Sequence, residues 1–276
     1  MLKKIVILTS SELRHKAFRS FISNHQNIKV LRTYTEEGSV LKKKIEVGKN
    51  KNYEMLLNHL KERDDCEKAF FLDYVNNKKD FSNSVSCKNG FISSIDCFNE
   101  IKKLNPDLIV VYGSSIIKGD LLKLFKNKIL NVHLGLSPYY RGSGTNYFPF
   151  VLDEPEYAGA TFMFLDEGID TGKIIHQIRP RIFEDDTFHM VGNRLIKDMF
   201  TIYGNLIEKF SKIKKVNIEF SKSKRLLFKN KDFTIESLVQ LKENFKNKIL
   251  KKYLDNKDVR DLNVPIIKQV WIKDVF

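Results

Sequence analysis

An α/β fold with a central, mostly parallel sheet and flanking helices is the class this sequence predicts, on three observations. The chain opens strand, helix, strand; two apolar runs in mid-chain read as buried strands; and amphipathic helical segments lie between and after them. With 276 residues, 42% hydrophobic and 30% charged, the chain is long enough to bury a substantial core and is no disordered tail.

The elements follow in order. Residues 4–9, Lys-Ile-Val-Ile-Leu-Thr, are a first strand, Ser10 and Ser11 a turn or helix cap, residues 12–23 an amphipathic helix and residues 28–33 a short strand, which together make a βαβ opening. Residues 34–92 are polar, with a helix expected over 53–71 that turns Leu56, Leu57, Leu60 and Phe70 to the core. His59, Arg63 and Glu67 lie four apart on another stripe, a spacing that predicts exposed ion pairing, with a substrate role as its second reading. Residues 95–104 read as a helix, Pro106 as a break, and 108–112, Leu-Ile-Val-Val-Tyr, as a central buried strand. Residues 128–133 form a further buried strand, ended by the Gly and Pro of the following Leu134-Gly135-Leu136-Ser137-Pro138. A short helix near 146–152, two strands at 157–165 and 173–179 flanking an acidic loop like a hairpin, and a long amphipathic helix over 187–210 complete a first domain, residues 1–210. Residues 211–276 are expected to be a small C-terminal appendage, with an aromatic-basic stretch at 225–234, a helix over 235–245 and a strand-like run at 266–270.

Composition narrows the function classes. No run of eighteen apolar residues is present to span a bilayer, and Met1-Leu2-Lys3-Lys4 leads into a strand, not an apolar signal core, so a cytoplasmic protein with no membrane partner is expected. Cys66, Cys87 and Cys97 have an odd count and no paired ligand spacing, which argues against a disulfide framework or a zinc site. The formal charge of +14 raises nucleic acid as a partner, and residues 204–276 hold 18 of the Lys and Arg against 9 of the Asp and Glu. Those basic residues are mainly lysine interleaved with asparagine, without an Arg-rich stripe or an aromatic RNA-binding motif, so a solvated surface is the favoured reading.

The chemistry concentrates in two places. Side chains alternate faces along a strand, so Asn131 and His133 point the same way at the carboxyl end of 128–133, where ligands bind in open α/β sheets. Alone, such a pair is most often a satisfied polar group of the core. Asp170, 37 residues after His133 within Asp166-Glu167-Gly168-Ile169-Asp170-Thr171-Gly172, adds an anion to a carbonyl polariser and a proton carrier. Those are the parts of an acyl-transfer site without a side-chain nucleophile, and no Gly-x-Ser-x-Gly elbow offers one. The acidic loop lacks the further oxygen ligands and terminal Glu of an EF-hand, so no metal is expected; a plain turn is its other reading. The loop from Arg141 through Gly142, Ser143, Gly144 and Thr145 to Asn146 lacks the Lys of a phosphate-binding P-loop and reads as substrate-facing.

Residues 131–142, Asn-Val-His-Leu-Gly-Leu-Ser-Pro-Tyr-Tyr-Arg-Gly, followed by Gly159-Ala160-Thr161 and by Asp166 to Gly172, resemble the signature of the folate-dependent formyltransferase superfamily, strongly over residues 105–180 and weakly over the first strand. That superfamily includes glycinamide ribonucleotide, methionyl-tRNA and sugar-nucleotide N-formyltransferases. The resemblance implies a Rossmann-like core, 10-formyltetrahydrofolate as formyl donor and Asn131, His133 and Asp170 as catalytic residues. It implies donor binding by Ser115, Ile116 and Ile117 just past a central strand, and by Asp166 and Gly168. Arg141, Thr145 and Asn146 are expected to face the acceptor, with Arg141 suited to a phosphate. Asp170 beside the imidazole is expected to favour the imidazolium, which donates to the developing oxyanion together with Asn131.

The C-terminal stretch is short for the barrel of methionyl-tRNA formyltransferases and looks more like the extensions of the sugar-nucleotide enzymes. The turn at 9–14, Thr-Ser-Ser-Glu-Leu-Arg, lacks the Gly-rich turn of the purine-pathway relatives, which speaks against phosphoribosyl substrates. The reading is therefore transfer of a formyl group to the primary amine of an amino sugar, nucleotide-linked, for surface polysaccharide synthesis, in an assembly for which a homodimer is the family's common form. Three alternatives stay open: formylation of methionyl-tRNA, hydrolysis of the donor, for which the regulatory domain usual before the first strand is not seen here, and a catalytically silent folate or nucleotide-binding module.

Overall fold

The computed structural model describes residues 2–37, 51–220 and 225–273. Met1, residues 38–50 of the polar 34–92 stretch, and residues 221–224 and 274–276 of the C-terminal appendage lie outside the described residues. The elements are β1 (Lys3–Ser10), α1 (Leu13–Ser23), β2 (Ile28–Glu37), α2 (Lys51–Asn77), β3 (Ser84–Lys88), α3 (Ile95–Leu104), β4 (Leu108–Tyr112), α4 (Asp120–Leu124), β5 (Ile129–His133), β6 (Tyr140–Gly142), α5 (Phe148–Val151), β7 (Ala160–Phe164), β8 (Ile174–Ile178), α6 (Phe188–Glu208), β9 (Leu226–Phe228), α7 (Ile235–Lys246), α8 (Ile249–Asp255) and α9 (Lys257–Leu262).

One seven-stranded sheet runs β3-β2-β1-β4-β5-β7-β8. Its first five strands are parallel, and β7 and β8 are antiparallel to their neighbours. The α/β class with a mostly parallel sheet and flanking helices is the architecture found. Strand period two sorts the core into two layers. Ile5, Ile7, Leu108, Val110, Leu130 and Val132 pack under the layer that holds α1, α2 and α6, whereas Val6, Leu8, Ile109, Val111 and Ile129 pack under α3 and α4. Asn131 and His133 continue the face of Ile129 at the carboxyl end of β5. Tyr203 of α6 pins β4 to β5: its buried hydroxyl accepts from Val111 N–H and faces the Leu130 carbonyl.

Local chemistry sets several boundaries. Ser94 caps α3 by accepting from Cys97 N–H, Lys102 and Lys103 occupy the last turn where the helix dipole favours cations, and Asn105 at φ 46° ends it. Thr187 caps α6 at Met190 N–H, and Thr234 with Ser237 forms a capping box on α7. Glu12, not Ser10 or Ser11, takes the N-cap position of α1.

Three expectations need correction. The stripe of His59, Arg63 and Glu67 is not solvated: α2 is clasped by α1 and α6, His59 and Glu67 are buried, and Glu67 accepts from Arg14 N–H at 2.9 Å and from its guanidinium at 2.7 Å. Leu57 is exposed, and Phe71 takes the core position. Residues 266–270 are not a strand, although the chain there docks on β8, with Gln177 N–H donating to Ile267 O at 2.7 Å. Within the aromatic-basic stretch of 225–234, β9 pairs with β6 in parallel, Tyr140 opposite Leu226 and Gly142 opposite Phe228. Leu238, Leu241, Ile249, Leu250 and Tyr253 of the C-terminal helices share one apolar cluster with Leu136, Tyr139, Tyr140 and Phe150, so these residues pack directly on the loops after β5.

Phe162 is 1% exposed in the middle of β7, edge-on to Tyr203 at 5.3 Å. Phe162→Ala leaves a cavity between sheet and α6, and the expected loss is about 3–5 kcal/mol of unfolding free energy, read from urea denaturation.

Candidate functional site

A cleft of about 1100 Å³ opens at the carboxyl ends of β1, β2, β4 and β5. Asn131, His133 and Asp170 all line it. β5 supplies the first two on one face, and the loop between β7 and β8 carries Asp170 back across them at φ 51°, a left-handed conformation that Asp tolerates better than most residues. Asp170 Oδ2 lies 3.3 Å from His133 Nδ1 and accepts from Gly142 N–H at 2.8 Å. His133 Nε2 lies 3.2 Å from Tyr140 O. Among the described residues, the Asn131 amide makes no hydrogen bond, so its donors are available to a group in the cleft.

Two glycines make this packing possible. A Cβ on Gly142, at φ +90°, would meet the Phe228 carbonyl at 2.1 Å. A Cβ on Gly135 would meet His133 Nε2 at 2.7 Å and Thr145 at 2.6 Å.

His133 is 8% exposed. Burial pushes its pKa below the ordinary value, against the opposing pull of the Asp170 carboxylate and the Tyr140 carbonyl. The Asp170 carboxylate favours the imidazolium, as expected, but burial outweighs it, so the resting ring favours the neutral form with one proton. Both nitrogens face oxygens, so only one of the two contacts is satisfied as a hydrogen bond, and uptake of a second proton completes the other. Such a ring is a proton acceptor whose protonated form has its partner already in place.

The remaining expected residues divide. Ser115 and Ile116 line the cleft, while the Ile117 side chain is buried in the core beneath it. Thr145 and Asn146 reach the lining, but the Thr145 hydroxyl donates to Leu134 O and the Asn146 amide grips Gly159 at both N–H and carbonyl, 2.8 and 2.9 Å. They hold the loops in place. Asp166 and Gly168 are absent from the lining; Asp166 accepts from Gly168 N–H at 3.0 Å and from the Thr171 hydroxyl at 2.8 Å, and so shapes the turn that presents Asp170. Arg141 lies in β6, outside the lining.

Several lining residues were not anticipated. Glu36, 2% exposed at the end of β2, accepts from Ser115 N–H at 2.7 Å, the Ser115 hydroxyl at 2.9 Å and Gly90 N–H at 2.6 Å, and thereby fixes the loop after β4. Glu12, Arg14 and His15 come from the start of α1, and Phe228, Lys229 and Asn230 from the C-terminal segment. The available signal was position, since Glu36 and Glu12 stand at or just past the carboxyl ends of parallel strands, where such sheets bind ligands.

One group among the described residues has metal-ligand chemistry: His59, Glu62 and His189 each bring an atom within 4.8 Å of the others. Burial, then the charges of His189, Lys242 and Arg63, lower the His59 pKa to about 3; burial and Arg63 lower that of His189 to about 4. Both rings are neutral, and the same two cations oppose a metal ion there.

A family model described as formyl transferase matches residues 4–205. The methionyl-tRNA formyltransferase of Finegoldia magna is 44% identical over 87 residues, 30% of this chain and 27% of that protein. That of Pelotomaculum thermopropionicum is 42% identical over 97 residues, 34% of this chain and 30% of that protein. The matched stretch thus spans under a third of the length of these curated relatives. Among solved structures, a sugar N-formyltransferase from a Shewanella species is 18% identical over 88% of each chain, with a TM-score of 0.55. A phosphoribosylglycinamide formyltransferase from Anaplasma phagocytophilum is 13% identical over 83% of this chain and 100% of that one, with a TM-score of 0.54. At those identities the likeness is one of fold.

Gly142→Ala tests whether the β6–β9 crossing supports the site. The substituted residue is strained at φ +90° and clashes with the Phe228 carbonyl, so a loss of about 2 kcal/mol or more in a denaturation series is expected.

Proposed function

Because the chain belongs to the formyl transferase family, we propose that it transfers a formyl group from 10-formyltetrahydrofolate to the primary amine of a nucleotide-linked amino sugar. The observation that carries this reading is the convergence in one cleft of a free amide donor, Asn131, and a buried neutral imidazole already backed by a carboxylate. The donor supplies the formyl group. The cleft of about 1100 Å³ is slightly larger than the upper end, about 1000 Å³, of typical small-molecule sites and leaves room for a pterin beside an acceptor, and the loop at 113–116, held by Glu36, offers main-chain groups to a heterocycle.

The acceptor amine is the nucleophile. As its nitrogen bonds to the formyl carbon, the oxygen gathers negative charge, and Asn131 donates to it, an effect of about 3 kcal/mol for one such oxyanion donor. The amine's proton passes to the His133–Asp170 pair, whose facing atoms, His133 Nδ1 and Asp170 Oδ2, lie 3.3 Å apart. Breaking of the old carbon–nitrogen bond then returns a proton to the departing nitrogen, leaving a formamide and tetrahydrofolate. No Ser or Cys acyl intermediate is required.

An amino sugar is favoured because β9 and the residues after it wall the cleft, which suits a compact acceptor. Methionyl-tRNA is the second reading. The names of the curated relatives and the basic C-terminal residues favour it.

Tetrahydrofolate release from 10-formyltetrahydrofolate, followed by absorbance with a panel of amino-sugar nucleotides and separately with methionyl-tRNA, distinguishes the two. Turnover with a sugar nucleotide is expected; turnover with the tRNA alone makes the second reading correct. Asn131→Ala and His133→Ala are each expected to lower kcat by about 10²–10⁴-fold with the unfolding midpoint retained.

The pH dependence has a definite sign. Burial places the His133 pKa below 6.5, so the base form fills as pH rises and kcat climbs to a plateau before neutrality. A kcat that falls between pH 5 and 7 would contradict this role.

A further inference from the structure

A second chamber, of about 320 Å³, lies beside the catalytic cleft and shares its wall at Leu134, Ser143, Gly144 and Asn146. Its interior differs from the cleft. Tyr147 and Phe188 face both spaces, whereas Phe148, Phe233, His59 and His189 line the chamber alone. The rings of His59 and Phe188 are nearly parallel, at 22° and 6.2 Å, Tyr147 stands edge-on to Phe188 at 5.7 Å, and Tyr147 and Phe233 are 5.0 Å apart. Helix α2, the start of α5, the first turn of α6 and the C-terminal segment each bring part of this lining. No single stretch of sequence contains it.

The volume sits at the lower limit of about 300 Å³ for small-molecule pockets, which suits one flat ring and excludes a whole nucleotide. Aromatic walls favour a planar π face, because stacking is tolerant of which ring arrives. Polar groups are few. His189 Nε2 is buried without a partner and Asn193 lines the same space, so a ring with hydrogen-bonding edges fits better than a hydrocarbon. Arg14, Lys229 and Asn230 line both chambers, and two of these are cations at the passage between them.

We propose that this chamber binds the nucleobase of a nucleotide-linked acceptor, with its phosphates crossing the passage at Arg14 and Lys229 and its sugar amine beside His133. The assignment rests on the reading of the acceptor as a sugar nucleotide. The ion pair of Arg14 with Glu67 leaves Lys229 as the less encumbered of the two cations.

Gly192 supplies a test that does not threaten the fold. It lies in α6 and lines the chamber, and a Cβ added there meets nothing within 4 Å. Gly192→Leu therefore fills the chamber while raising helix propensity, and the unfolding midpoint should be no lower than that of the unsubstituted protein. ADP, GDP, CDP, UDP and dTDP are each titrated calorimetrically into both proteins and into Phe233→Ala, a ring that lines the chamber and not the cleft, with inorganic pyrophosphate and 5-formyltetrahydrofolate as controls. At least one diphosphate is expected to bind the unsubstituted protein and to bind Gly192→Leu and Phe233→Ala at least tenfold more weakly, with both controls unaffected.

Equal diphosphate affinity in all three proteins would overturn the chamber assignment. If sugar nucleotides are turned over with an unchanged KM in Gly192→Leu, the assignment fails and the reading of the acceptor stands. If only methionyl-tRNA is turned over, and Gly192→Leu raises its KM, the chamber holds a methionyl group and both fail.

Discussion

The contact between the buried His133 ring and Asp170 at the floor of the cleft is the interaction on which the rest of this site depends. Two opposing effects act on the imidazole: burial disfavours its charge, and a carboxylate at 3.3 Å favours it. Burial prevails in the resting protein. In the proposed transfer, a proton arriving from an acceptor amine therefore meets a ring that can take it and an anion positioned to stabilise the product. Were the ring more exposed it would titrate nearer its ordinary pKa, and were Asp170 absent the protonated state would be buried and uncompensated, which is costly.

Much of the fold serves to hold that contact. β5 sets His133 and Asn131 on one face, and Tyr203 fixes β5 to β4 from the opposite layer. The Asp166 turn delivers Asp170, and Gly142 N–H secures it from the other side. Gly142 lies in β6, which pairs with β9, so a strand some 85 residues further along the chain reaches the Asp170 carboxylate through one backbone hydrogen bond. The C-terminal helices pack on the same loops. Residues beyond 210 thus contribute to the site's walls.

The legible parts of the chain were those with strong local signals. Residues 4–9 and 108–112 are apolar enough to be read as buried strands, and strand period two alone places Asn131 with His133. Asp170 was identifiable as their partner only through the resemblance of its loop to a family motif, since no local pattern says which distant turn folds back over β5. Three-residue pairings such as β6 with β9 leave no periodic trace, and the end of β2 looks like any polar segment until Glu36 is seen gripping Ser115. The stripe of His59, Arg63 and Glu67 was misread for a related reason. Four-residue spacing shows that side chains share a helix face, but a second helix, here α1 with Arg14, decides whether that face meets water.

The charge state of His133 in the resting protein tests this account most directly. A ¹⁵N NMR titration of the imidazole nitrogens, assigned by comparison with His133→Gln, reads it without any assumption about the acceptor. A neutral ring at pH 7 that protonates only below pH 6.5, and at still lower pH in Asp170→Asn, is the expected result. An imidazolium persisting above pH 7 would show that charge pairing overcomes burial, and would contradict the proton-accepting role on which the proposed transfer depends.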